Sequence, residues 1–271
     1  MTGLVVVANW LLPLVYLALL VDYGAAFFLR TRTGARSPGL LAAVLVHAAF
    51  LVLWSAHMGR PPLANSQEIL SVLALATAAV YGLVEFAGRD RRTGVFVLVL
   101  VFLFQYTSSV LLAGPIAAGR TAPAEATLWL RLHVVPALVA YTALGFAGVY
   151  GFLFLLARRE LRGHRFGMFF DRLPPLELLG RMTWQVLLVG FVCITLAIGA
   201  SPLMFGGAHP ASVSQAKIVV KIATGSVAWL LCAAAVLGRW LGRWSPARVA
   251  AVAIAALLAV LALLAASGIL S

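Results

Sequence analysis

Charge and cysteine are both scarce in this sequence. Of 271 residues only 8 are Asp or Glu, charged residues make up 10%, and there are 2 cysteines; a soluble domain carries about 25% charged residues. Together with 63% hydrophobic residues, that scarcity excludes a water-soluble fold. Cys193 and Cys232 stand singly inside apolar runs. This excludes a CxxC redox pair, a CxxCH haem-attachment site and a cysteine-rich metal site, and leaves both as small buried hydrophobes. There is no P-loop and no nucleophile beside a matching base, so the chain is not expected to catalyse a bond-making step itself.

What is abundant is apolar sequence in runs of membrane-crossing length. A helix needs about 20 residues to span the hydrocarbon layer, and the runs predict eight transmembrane helices near 4–29, 38–58, 66–88, 93–114, 128–157, 184–203, 213–237 and 249–269. The first run has no basic residue before it and is followed by Arg30, Arg32 and Arg36, the charge order of a retained helix entering from outside rather than of a cleaved signal. The net charge of +12 is not a nucleic-acid signature, because the arginines sit in short clusters between the runs. Connections one, three, five and seven hold 15 of the 20 basic residues, so by the positive-inside rule they are cytoplasmic. Trp54 and Trp129 then fall at the outer boundary and Trp184, Trp240 and Trp244 at the inner one, where interfacial aromatics belong.

The expected fold is thus all-α: a polytopic membrane helix bundle in a bacterial-type cytoplasmic (inner) membrane, with both termini extracytoplasmic. One membrane domain, 1–271, suffices. The polar stretch 158–181 is expected to lie partly along the cytoplasmic membrane surface, because it mixes arginines with Phe166, Met168, Phe169 and Phe170.

Ionisable groups inside membrane helices are costly and therefore functional candidates. His47 lies mid-helix and His57 ten residues on, about 15 Å along the axis, too far apart to share a metal. His133, near the start of the fifth helix, is expected at the same depth as His57. Two imidazoles from facing helices are a standard way to hold haem b iron, with His47 the alternative partner; equally, each ring could simply hydrogen-bond a neighbouring helix. Arg60, Arg131, Lys217 and Lys221 are expected on the outer side, as partners for haem propionates or other anions or as snorkelling interfacial cations. Asn65 and Glu68 read as a capping pair opening the third helix. Asp22 and Glu85 lie towards the cytoplasmic ends of their helices, and a proton path between them and Glu68 is conceivable.

Several runs together carry a family resemblance. GRPPLANSQEILSVLALATAAVYGLVE, LHVVPALVAYTALGFAGVYGFLFLLARRELR and RLPPLELLGRMTWQVLLVGFVCITLAIGA resemble the cytochrome c assembly proteins of the CcsA/HemX type, over a core of about 38–269. The resemblance implies haem binding or haem handling, partners among other membrane proteins of cytochrome assembly, and His133 as the first outer histidine. Lys221 and Trp229 keep the family's Lys-to-Trp spacing. Val219 and Val220, however, stand where Asp and Pro would be, MFGGAHPASVSQAKI replaces the tryptophan-rich haem-presenting segment, and Leu237 stands in place of a histidine. These departures point to the HemX-like branch. They also admit a different class: a non-catalytic accessory subunit of a respiratory or photosynthetic membrane complex that binds lipid or quinone. A small-solute transporter is disfavoured, because no paired Gly/Pro-broken helices occur in matching halves.

Overall fold

The computed structural model describes residues 2–29, 37–63, 65–88, 91–117, 128–164, 167–205 and 215–269. Among them are nine α-helices: α1 (Thr2–Leu29), α2 (Pro38–Met58), α3 (Ser66–Gly88), α4 (Gly94–Ala117), α5 (Leu128–Arg162), α6 (Met168–Arg172), α7 (Leu176–Phe205), α8 (Gln215–Trp240) and α9 (Pro246–Ile269). Eight are long. Six of these are long and apolar enough to cross a membrane, and α8 and α9 carry shorter apolar stretches at Gly225–Trp240 and Pro246–Ala262. The chain is therefore a polytopic membrane helix bundle. It divides into two compact units, Met1–Ala126 and Thr127–Ser271.

In the first unit the helices pack as a ring, α1 on α2, α2 on α3, α3 on α4 and α4 back on α1. The sequence of α1 shows why. Val5, Asn9, Leu12, Tyr16, Leu19, Tyr23 and Phe27 are buried at spacings of three or four, one seam of a helix, while Leu4, Val7, Leu11, Leu14 and Val21 are exposed and suit a lipid surround. Asn9, Tyr16 and Tyr23 fall on the buried seam, and Asp22, near the end of the helix, is half-buried. In α2 the same spacing buries Leu40, Ala43, His47, Phe50 and Trp54. Its ends are set by chemistry: the Ser37 hydroxyl accepts from Leu40 N at 3.4 Å with Pro38 next in line, and Gly59 closes the helix at φ +66°, a left-handed cap that favours glycine.

The second unit is built on small residues. α5 packs on α7 and α9, and α8 on α9, around Ala140, Leu144, Ala147, Leu187, Ala228, Cys232, Ala253 and Ala256. Helices in lipid gain stability by close backbone approach. At Gly151 of α5 a Cβ would lie 2.9 Å from the Ala250 carbonyl oxygen of α9, so the crossing exists only because the side chain is absent.

The helix bounds agree closely for α2 and α3 and differ at the cytoplasm-facing ends expected for α5 and α7. α5 runs to Arg162, and α7 starts at Leu176, eight residues before the apolar run. In the stretch 158–181, α6 is a five-residue turn of helix.

Candidate functional site

The deepest polar feature of the first unit is a chain of hydrogen bonds that visits all four helices. Tyr16 Oη (α1) is 2.8 Å from His47 Nδ1 (α2), and His47 Nε2 is 3.0 Å from Ser71 Oγ (α3). Ser71 Oγ donates to Gln105 Oε1 (α4) at 2.9 Å, Gln105 Nε2 donates to Ser109 Oγ at 3.0 Å, and Ser109 Oγ donates to the Asn9 carbonyl of α1 at 2.8 Å. All six residues are buried.

The direction of this belt is fixed by its last link. A backbone carbonyl only accepts, so the Ser109 proton is spent there and Ser109 must accept from an amide nitrogen. That turns Gln105 Oε1 towards Ser71, which must donate to it and can only accept from His47. His47 therefore carries a proton on Nε2, and in the neutral ring Tyr16 donates to Nδ1. Both ring nitrogens of His47 have hydrogen-bond partners within the unit. The belt also ends on an amide and a peptide carbonyl, neither of which relays protons.

Arg60 and Glu68 form a second feature. Arg60 Nη1 and Nη2 donate to Glu68 Oε2 and Oε1, each at 2.8 Å, with side-chain exposures of 7% and 1%. Arg60 is thus neither snorkelling nor an open anion site; its charge is matched inside the protein by the carboxylate that the sequence assigns to a cap. Asn65 keeps a backbone role, its carbonyl accepting from Ile69 N at 3.0 Å.

At the opposite end of the unit, Tyr23 donates to Glu85 Oε2, the Ser37 backbone N–H donates to Glu85 Oε1 at 2.8 Å, and Arg91 Nη2 donates to Asp22 at 2.9 Å. The Arg91 guanidinium also lies 4.1 Å over the Tyr23 ring. Burial works against the Arg91 cation, but the Asp22 bond and the neighbouring Tyr23 and Glu85 outweigh it and leave its pKa raised. Asp22 and Glu85 therefore share one cluster, and Glu68 belongs to another.

In the second unit His133 stands differently from His47. Its Nδ1 is 2.8 Å from the Ala197 carbonyl of α7, which forces Nδ1 to carry the proton. Ser201 Oγ donates to the same carbonyl at 3.1 Å and lies 3.2 Å from Nδ1. Nε2 is left as the basic nitrogen, and no described residue hydrogen-bonds it. An imidazole with one nitrogen anchored to a peptide carbonyl and the other open has the form of a metal-ligating histidine. Nearby on α7, Thr195 Oγ1 accepts from Trp229 Nε1 at 3.0 Å, which ties α8 to α7.

His57 is half-buried in the last turn of α2, in the other unit, and makes no hydrogen bond with a described residue. His164 is exposed in the α5–α6 connection at φ +48°. The side chains of Arg131, Lys217 and Lys221 lie outside the described residues, as do His209, Arg120 and the arginines of 30–36. Among the described residues there is no group of three or more His, Cys, Asp or Glu that could hold a metal ion. Sequence reasoning, attending to ionisable groups, missed Asn9, Tyr16, Ser71, Gln105, Ser109 and Ser201. The signal was present in the heptad spacing of Asn9, Tyr16 and Tyr23 and in the polar QYTSS inside an apolar run.

Comparison with known proteins assigns the family. The chain matches the cytochrome C assembly protein family over residues 39–268. It is 28% identical over 176 residues to the cytochrome c biogenesis protein CcsA of Nostoc punctiforme, covering 61% of this chain and 50% of that protein. It is 28% identical over 159 residues to CcsA of Microcystis aeruginosa, covering 56% and 48%, and 31% identical over 142 residues to CcsA of a Synechococcus species, covering 51% and 40%. The chain spans about half the length of the curated relatives it matches. No solved structure matches. The chain belongs to the cytochrome C assembly protein family.

Proposed function

We propose that this member of the cytochrome C assembly protein family handles haem during cytochrome c assembly, and that His133 would hold the iron of haem b through Nε2. The observation that carries the reading is the anchored ring: the Ala197 carbonyl holds Nδ1–H and fixes the tautomer that leaves Nε2 basic. Among the described residues, His133 would hold the iron of such a group through Nε2. Of the candidate propionate partners, Arg60 is already matched by Glu68, which leaves Arg131 and Lys221 in that role. Bound there, haem would supply the cargo or redox group; the chain's own part is to orient His133 from α7 and to hold the group in the membrane. The relatives are named for cytochrome c biogenesis, which supports other proteins of cytochrome assembly as partners, and the six long apolar helices support a membrane location, which we assign to the bacterial cytoplasmic membrane.

Purified protein from haem-replete cells should show a Soret band and a pyridine-haemochrome spectrum of haem b. His133→Ala should remove most of it while far-UV circular dichroism is unchanged, with His57→Ala measured in parallel. A colourless wild-type preparation, or a His133→Ala spectrum equal to wild type, would overturn the assignment.

A second reading is favoured by α8. Val219 and Leu237, at positions where the resemblance leads one to expect Asp and His, are exposed apolar residues, which suits an accessory subunit of a respiratory or photosynthetic membrane complex, in contact with lipid or quinone. Co-purification with a larger complex at no haem per chain would establish that reading in place of the first.

A further inference from the structure

Of the buried polar atoms in the first unit without a hydrogen-bond partner among the described residues, two are complementary. Asn9 and Trp54 are 0% and 2% exposed, and neither Asn9 Oδ1 nor Trp54 Nε1 has a hydrogen-bond partner among the described residues. The first is an acceptor and the second a donor. Rotating the Asn9 amide does not help, because its nitrogen donates to the Ser109 carbonyl at 3.0 Å and an oxygen in that place would face another acceptor. Oδ1 is therefore held away from Ser109 by the belt itself.

Helix register brings the two groups to one level. Consecutive membrane spans cross in opposite directions, and Tyr16 of α1 meets His47 of α2. Seven residues back along α1 is Asn9, and seven forward along α2 is Trp54. Seven residues are about 10.5 Å of rise and within roughly 20° of two full turns, so Asn9 and Trp54 form the next rung above Tyr16 and His47. The apolar neighbours agree: Val5 and Leu12, which flank Asn9 on its seam, pack in one cluster with Phe50, Trp54 and Leu112.

Buried polar groups are satisfied in the great majority of cases, and where the protein supplies no partner an internal water commonly does. We infer that one ordered water sits between α1 and α2, accepting from Trp54 Nε1–H and donating to Asn9 Oδ1. It carries the belt, which leaves α2 at His47 and returns to α1 at Asn9, across to α2 again one rung higher. Water is the ligand chemistry that fits: one acceptor for the indole and one donor for the amide.

Infrared difference spectra of the full chain in lipid nanodiscs, recorded in ordinary and 18O-labelled water, test this together with ultraviolet resonance Raman of the indole N–H. The wild type should show an isotope-sensitive O–H stretch that is lost in both Asn9→Leu and Trp54→Phe, and Asn9→Leu should move one indole band towards the unbonded position. A wild type with no isotope-sensitive band overturns the inference, whether its indole is unbonded or bonded directly to Asn9. So does a band that persists in both variants. The wild-type spectra decide the matter even if a variant fails to fold.

Discussion

Replacing Glu68 by Gln keeps the side chain's shape and removes its charge, which leaves the Arg60 guanidinium buried opposite a neutral amide. The pair is bidentate at 2.8 Å and nearly sealed from solvent, with side-chain exposures of 7% and 1%. For a pair in that setting, loss of one partner costs about 3–5 kcal/mol, which is roughly two to four orders of magnitude in the folded-to-unfolded ratio. An interfacial arginine merely near a carboxylate would make the same change worth about 0–1 kcal/mol. The assay is unfolding in mixed detergent micelles of increasing denaturing-detergent fraction, followed by circular dichroism. The companion variant is Arg60→Met with Glu68→Leu: replacing both charges by apolar groups of similar volume removes the desolvation cost together with the attraction. It should recover most of the loss. A Glu68→Gln protein as stable as wild type, or a double variant weaker than Glu68→Gln, would refute the reasoning.

Tyr16→Phe leaves His47 Nδ1 as a buried acceptor with nothing to receive and should cost about 1–3 kcal/mol in the same unfolding series. Gly151→Ala places a Cβ against the Ala250 carbonyl and should destabilise by about 1–3 kcal/mol through overpacking, read as a lowered melting temperature. Ser201→Ala removes one of the two acceptors near His133 Nδ1 but leaves the Ala197 carbonyl. Haem affinity by titration should therefore fall by less than the roughly 10–100-fold that accompanies loss of a whole outer-shell partner.

The number and order of the helices are legible in the sequence because a twenty-residue apolar run has few other uses in water or lipid. Where a run is bounded by proline, glycine and serine, as α2 is by Ser37, Pro38 and Gly59, the helix ends are legible too. Hydropathy fails at α5 and α7 for a definite reason. Charges at Arg158, Arg159 and Arg162 mark where an apolar run stops, but the backbone ladder continues through them, and α7 begins at Leu176 with Glu177 in its first turn. Of the candidate site, the sequence picks out His133 but not its anchor, since a peptide carbonyl on another helix leaves no mark in composition. Arg60 and Glu68 lie eight residues apart across a Pro-Pro turn. Each has a sufficient local explanation, and only the fold shows that the two explanations are one.

The order of synthesis gives the four-helix belt a consequence for assembly. Tyr16 needs α2, Ser71 needs α4, and α4 in turn closes on α1 at Asn9 and Ser109. A nascent chain that has inserted only three helices thus holds amide and hydroxyl groups in lipid with nothing to meet them. The first unit becomes a finished object when the fourth helix docks, and a chain cut before that point would be a substrate for membrane proteolysis.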